Sequence, residues 1–456
     1  MSTTTAPQTL TDKITSGPII ATVFHLAIPA VLGMMMAIAL SVVNFFWVGR
    51  LGPAAQDAIT SSMVVNWTAY ATLSIVTIGL TALVARHMGA REPDQAAFYI
   101  RQGLWMALIH STTMMILGLA LTPALLTFMG TGSETMHMAV PYLHIFFLSV
   151  IPLAISEALY ATFRAAGNTR TPMWVGGIAI LINIILDPLL IFGIGPFPKL
   201  GVPGASVATL ISVVTSCLII LTLTLRERLG FSIGAFYRKL PDFRAMLKIA
   251  KIGAPMTVQQ VTFIIVYWFL IKLVHQYGES AGAAMGIGNR MESISYLTCS
   301  GFSMAAAALV GQNLGARNPA RAERCAWSAT EMAVLVTVVI GSIFVAIPGL
   351  ITSIFTRDPE VHKIASDYLF ILGLSQFTMA VEIVLEGSFS GAGDTIPPMV
   401  VLIPGAVARI PLAYYLCFDL NWGINGVWWT LTITTTVKAA VLAFWFRRGH
   451  WKLKKV

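Results

Sequence analysis

The feature that most constrains this chain is a series of about a dozen mostly apolar stretches, each about twenty or more residues long, the length a helix needs to cross a hydrocarbon layer of roughly 30 Å. They fall near residues 19–49, 54–85, 98–128, 138–163, 173–195 and 204–225, and again near 246–275, 281–311, 324–350, 362–389, 396–418 and 424–446. Composition agrees: 56% of residues are hydrophobic and only 11% charged, against about 25% charged in an ordinary soluble domain. The expectation is an all-α integral membrane protein with twelve transmembrane helices.

The spans come in two sets of six, and the sets resemble each other. At an offset of 226 residues, Leu83-Val-Ala-Arg-His-Met-Gly-Ala-Arg-Glu-Pro aligns with Leu309-Val-Gly-Gln-Asn-Leu-Gly-Ala-Arg-Asn-Pro. The same offset superposes Gly167-Asn-Thr-Arg-Thr-Pro-Met on Gly393-Asp-Thr-Ile-Pro-Pro-Met, and Pro29 on Pro255. After a short length change Gly201-Val-Pro-Gly matches Gly423-Ile-Asn-Gly. Six is an even number, so both halves enter the membrane from the same side. The repeat is parallel, and it implies two six-helix bundles related by a pseudo-twofold axis along the membrane normal, with alternating access by rocking as the default mechanism of such a carrier. The expected segments are a disordered cytoplasmic tail over 1–17, a first bundle over 18–225, a basic linker over 226–245, a second bundle over 246–446 and a basic tail over 447–456.

The formal charge of +9 invites a nucleic-acid reading, which the placement of the basic residues removes. With both termini in the cytoplasm, 21 of the 29 Lys and Arg lie in cytoplasmic segments and only Arg50, Lys199, Lys272, Arg357 and Lys363 in the opposite loops. That asymmetry is topogenic and orients a multi-pass protein of the inner or plasma membrane. The cluster Arg226, Arg228, Arg238, Lys239, Arg244, Lys248 and Lys251 is also placed to touch anionic lipid heads. Residues 1–17 lack the basic start, short apolar core and cleavage site of a signal peptide. Cys217, Cys299, Cys325 and Cys417 have no metal-type spacing and read as small packing residues. No metal-binding His pair, Asp-rich pyrophosphate motif or phosphate-binding loop occurs, so neither an enzyme nor an ATP-driven pump within this chain is expected, and no cofactor.

Several stretches, taken in order, resemble the multidrug and toxic compound extrusion family of cation-coupled antiporters. They are Pro29 with Val48-Gly-Arg-Leu-Gly, Gly89-Ala-Arg, Gly167-Asn-Thr-Arg-Thr-Pro, Asn183-Ile-Ile-Leu-Asp-Pro, Gly204-Ala-Ser-Val-Ala-Thr and Gly387-Ser-Phe-Ser-Gly-Ala-Gly-Asp-Thr. The resemblance covers about 19–446 and implies a V-shaped pair of bundles. It also implies export of amphipathic organic cations against inward H+ or Na+, a coupling site inside the first bundle, and a monomer. One departure stands out: the family commonly has Asp in the first span just before Val-Gly-x-Leu-Gly, where this chain has Asn44. The alternative on the same fold is a flippase or exporter of a lipid-linked or organic-anion metabolite.

Ionisable residues at membrane depth cost about 2.5 to 3.5 kcal/mol on insertion scales and mark function by default. Asp187 is the strongest. It shares a helix face with Asn183, and Pro188 leaves the Ile184 carbonyl without its helical donor. A carboxylate, an amide oxygen and a free carbonyl within one turn suit a hard cation such as Na+, and burial makes a proton an equal candidate. By resemblance Tyr142 and Thr209 complete this cluster, with Asn44 facing it. In the second half Glu382 and Glu386 share a face and, with Gln259 and Gln260, form a candidate substrate or second ion site. Arg290, Glu292, Glu157, Glu331, Arg409 and Lys438 are expected to pair inside the bundles, and His110 to be a core histidine. Glu386 stands close to a Gly387–Gly393 loop expected at the surface. Pro29 and Pro255 are candidate hinges. Met34 to Met36, Trp67, Trp105, Phe263, Tyr267 and Trp268 are more simply packing residues than a drug-binding surface.

Overall fold

The computed structural model describes residues 10–234 and 240–456. Arg238 and Lys239 of the basic cluster lie outside the described residues. The first half forms α2 (Ile19–Gly49), α3 (Pro53–Gly89), α4 (Pro93–Phe128), α5 (Ser133–Ala165), α6 (Arg170–Phe192) and α7 (Val202–Leu225). The second forms α8 (Phe243–His275), α9 (Glu279–Gly315), α10 (Pro319–Ala346), a short α11 (Pro348–Ser353), α12 (Pro359–Gly373), α13 (Gln376–Ala392), α14 (Ile396–Val407), α15 (Arg409–Tyr414) and α16 (Asn425–Arg447). Eleven of the described helical segments are long and apolar enough to cross a membrane, and twelve if α12 and α13, bent by 56°, form one broken span.

The repeat recurs in backbone detail. Arg91 and Arg317, equivalent by the 226-residue offset, both take left-handed φ values of 60° and 57°, and each is followed by a helix opening on proline, Pro93 and Pro319. A proline suits that position, where its missing N–H has no helical acceptor. In the second copy Asn318 adds a cap, its Oδ1 accepting the N–H of Arg321 at 3.0 Å.

Two compact units emerge, and their boundaries fall inside helices instead of at the linker. One comprises Leu32–Gly253, the other the residues up to Val31 together with Ala254–Val456. The divisions lie within two residues of Pro29 in α2 and of Pro255 in α8. The start of α2 buries Val23, Leu26 and Ala27 with Phe302 and Ala305 of α9. The start of α8 lies on α3 so closely that a Cβ at Gly79 or Gly253 would strike the carbonyl of Ile249 or Ile75. The first helix of each half thus begins on the second helix of the other half, an exchange that obeys the repeat.

Within the first unit α5 packs against α3, α4 and α7 around Leu143, Phe146 and Phe147. Within the other, α9 packs against α10, α12 and α13, and Tyr368 meets Trp428 edge-on at 4.6 Å.

Three expectations need correction. Residues 10–16 of the tail expected to be disordered form a helix, α1 (Leu10–Ser16), because Ile14 is buried and the Arg321 guanidinium binds the carbonyls of Ile14 and Gly17. Gly387–Ala392, expected as a loop, is the end of α13: Gly387 and Gly391 are one turn apart and let α13 approach Ser303 and Ala307 of α9, as small residues do between membrane helices. Glu331 is exposed instead of paired in the interior. All four cysteines are buried and free.

Candidate functional site

Five first-half residues singled out from the sequence sit on four helices of one unit. Asp187 on α6 is 0% exposed and Asn183, a turn earlier, 2%. The side-chain amide of Asn44, from α2, abuts Asp187 Oδ2, and that of Asn183 lies 3.2 Å from the same oxygen. Turned with its nitrogen to the carboxylate, each amide donates to it; turned with its oxygen, each joins it as a further acceptor. Asn44 also reaches the Leu40 carbonyl at 3.2 Å, and Asn183 lies 3.1 Å from Thr209 Oγ1 on α7. Thr209 in turn donates to the Ala205 carbonyl at 3.0 Å. Asp187 Oδ1, by contrast, is buried with no partner.

Tyr142 on α5 feels the charge of Asp187 and hydrogen-bonds the side chain of Asn66 on α3. Asn66 was not singled out from the sequence, although its own Oδ1 is buried and unpartnered. One signal was available: a lone amide in the apolar run of a spanning helix. Among the described residues no three His, Cys, Asp or Glu gather to hold a transition-type metal. The oxygen-rich surroundings of Asp187 suit a proton or a hard monovalent cation instead.

The second-half candidates also come together, but as a network of opposite charges. Lys438 Nζ on α16 donates to Glu382 Oε1 on α13 at 2.6 Å, with side chains 5% and 13% exposed. One turn along, Glu386 Oε1 accepts the Gln259 amide of α8 at 2.9 Å. The Tyr368 hydroxyl lies 2.9 Å from both Glu292 Oε2 and Asn289 Oδ1, which share its single proton, and the Asn289 amide reaches Tyr267. Arg409, 5% exposed, donates to Thr434 Oγ1 at 3.0 Å and Thr435 Oγ1 at 3.1 Å. Gln260 is half-buried and outside these hydrogen bonds. Glu157 pairs with Arg164 at 3.8 Å in the first half, Arg290 is exposed, and His110 is half-buried with Nε2 unpartnered.

The MatE family profile matches residues 29–189 and again 255–415, one copy in each half. A probable multidrug resistance protein NorM from Thermotoga maritima is 27% identical over 436 residues, covering 94% of this chain and 93% of that protein. An FAD transporter from Shewanella oneidensis is 25% identical over 404 residues, covering 87% and 88%. Among solved structures, an outward-facing multidrug resistance transporter and a MOP superfamily transporter from Pyrococcus furiosus each superpose with a TM-score of 0.91 at 22% identity, over 99% of this chain and 100% of theirs. With the doubled profile match spanning most of both halves and the all-helical fold in agreement, the chain belongs to the MatE family of multi-pass membrane transporters.

Proposed function

We propose that this protein is a secondary antiporter that exports amphipathic organic cations and drugs in exchange for H+ or Na+ by alternating access of its two bundles. The observation that carries this reading is Asp187, a buried carboxylate whose Oδ1 meets no donor. An ionised carboxylate so placed is costly and calls for a mobile counterion. A proton on the carboxylate satisfies it directly. Sodium would draw on Asp187, the oxygens of Asn44 and Asn183, and the Ile184 carbonyl released by Pro188.

Asn44 ties the occupancy of this site to α2, the helix that also carries Pro29. Bending at Pro29 is then the step that answers the coupling ion, and Pro255 is its counterpart in α8. The NorM relative, a probable multidrug resistance protein, supports drug-like substrates, and Glu382 and Glu386 supply acidic groups for their cations. The asymmetry of Lys and Arg supports a cell-membrane location with both termini cytoplasmic, and the working unit is a monomer. Export of an organic anion is the second reading. The FAD transporter relative and the buried Lys438 and Arg409 favour it. Carboxylates nevertheless outnumber cations in that network, which keeps organic cations first.

The test uses purified protein in liposomes, a fluorescent organic cation and an imposed proton or sodium gradient, beside Asp187→Asn. The expected result is transport that follows one gradient and falls to background in the variant. A variant that transports like the parent would move the coupling step to the second half.

A further inference from the structure

The short helix α1 has seven residues, fewer than the about 12 to 15 at which an isolated helix begins to hold in water, so its order has to come from what it touches. The carbonyls at its C-terminal end lack helical donors, and side chains from elsewhere supply them. Arg321 Nε and Nη2 on α10 donate to the Ile14 carbonyl at 3.3 and 3.2 Å, and Nη2 also donates to the Gly17 carbonyl. The buried Asn313 of α9 donates from Nδ2 to the same Ile14 carbonyl at 3.5 Å. Thr22, already in α2, donates to the Lys13 carbonyl at 3.4 Å. Only Gly17 and Pro18 separate α1 from α2, and a Cβ at Gly17 would strike the Lys13 carbonyl. Ile14 is buried in one apolar cluster with Val23, Leu26 and Ala27 of α2, Leu309 of α9 and Cys325 of α10. This anchoring is not inherited from the repeat. At the 226-residue offset His87 and Gln95 stand where the second half has Asn313 and Arg321, and His87 is engaged with Glu92 Oε2 at 2.7 Å and the ring of Tyr99. The start of α8 is held differently, by Gln102 accepting the Asp242 N–H at 2.7 Å.

We propose that α1, Arg321 and Asn313 form a mooring that fixes the cytoplasmic turns of α2 against α9 and α10, so that a change imposed on α2 at Asn44 is confined to the part of the helix beyond Pro29. A helix free at its base answers a displacement by rocking as a rigid rod. One held at its base yields where its hydrogen-bond ladder is interrupted, which in α2 is Pro29. The guanidinium suits this task because its fork spans two carbonyls at once and its charge favours the C-terminal end of a helix. Arg321 is thus a positioning residue. It touches neither ion nor substrate and acts through α1 on where α2 bends. Ile14 supplies the apolar half of the same contact, and Gly17 the turn that passes the constraint from α1 to α2.

This inference rests on the antiporter reading for the ion that acts on α2, and its test does not require transport. The experiment is hydrogen exchange followed by mass spectrometry on the full-length protein in detergent, with and without sodium and on the acid and alkaline sides of neutrality, corrected for intrinsic exchange. In the wild type residues 10–28 are expected to stay protected under every condition, while residues 32–44 respond to one of the two ions. Arg321→Gln should speed exchange in residues 10–28 by at least about tenfold, the scale of one charge-assisted hydrogen bond read as a local opening. The ion response should then spread from residues 32–44 into 18–28, which a merely structural role would not produce. Arg321→Lys should restore part of the protection. Ile14→Gln should reproduce the effect from the other side of the contact, and the double variant should exchange no faster than the worse single one, since both remove the same docking. Unchanged exchange of residues 10–28 in Arg321→Gln, a rise spread over both units, or a wild type in which 18–28 responds to the ion as strongly as 32–44 would each overturn the mooring. A wild type in which no segment responds to either ion counts against the antiporter reading instead, and the mooring is then judged on the exchange of residues 10–28 in the variants.

Discussion

The two halves descend from one repeat yet treat buried charge in opposite ways. In the first, the buried carboxylate of Asp187 faces the amides of Asn44 and Asn183, with no cationic side chain bonded to it among the described residues. In the second, three carboxylates share their surroundings with Lys438 and Arg409. A lone buried charge has to find its counterion outside the protein, so occupancy by a small ion can change its state. A network with internal counterions is close to neutral already, and its remaining unsatisfied atoms select a ligand by shape and hydrogen bonding. The difference supports the proposed division, with ion coupling in the first half and substrate recognition in the second.

The most severe way to break this division is Asp187→Asn, for which the gradient response in liposomes should fall to background. Folding should survive, because the amide removes a buried charge without changing size. A detergent-solubilised variant that melts far below the parent would make Asp187 a structural hub and end the division. Next in size is Lys438→Met. It leaves Glu382 buried without its cation, and breaking such a pair costs about 3 kcal/mol, readable as a lowered midpoint of thermal unfolding. The double variant Lys438→Met with Glu382→Gln should recover most of the loss, since neither charge is then stranded. No recovery would mean that Lys438 matters for packing against Gly405 instead of for charge.

How legible these sites were follows from what sequence patterns encode. Span length and order were readable because every crossing helix needs the same apolar run, and the repeat because its turn motifs stay colinear. Asp187 and Asn183 were readable as one site because four residues make one helical turn. The partner of Glu382 was not, since Lys438 lies 56 residues away on a helix whose register against α13 depends on packing. The paired glycines at 387 and 391 looked like a loop because glycine serves close helix contact as readily as it serves a turn. The exchange of the first turns of α2 and α8 left no local trace, as apolar side chains do not name their neighbours. Asn66 escaped for the same reason: its relation to Tyr142 is purely tertiary.

Asn44 sharpens the comparison from the other side. Asn44→Asp would set a second carboxylate against Asp187 Oδ2, and two such groups cannot both stay ionised at contact without a proton or cation between them. At neutral pH and low sodium the variant should lose about 1 to 2 kcal/mol of stability, one pKa unit of coupling being about 1.4 kcal/mol. Sodium or acid should restore it, whichever serves as the coupling ion, and should raise the unfolding midpoint by more than in the parent. Equal responses in the two proteins would mean that residue 44 does not share the ion with Asp187.

The smallest expected effect tests whether the amide beside Asp187 must be held in place. Thr209 meets Asn183 at 3.1 Å, and Thr209→Val keeps the shape while deleting the hydroxyl. A single neutral hydrogen bond contributes about 1 kcal/mol, so the unfolding midpoint should fall by only a few degrees. The informative quantity is the dependence of transport on the driving ion. If Thr209 fixes which end of the Asn183 amide faces the carboxylate, the variant should need several-fold more of that ion for half-maximal transport while its affinity for the organic cation stays the same. A shift in substrate affinity with unchanged ion dependence would place substrate beside Asp187 and remove the separation of roles between the halves.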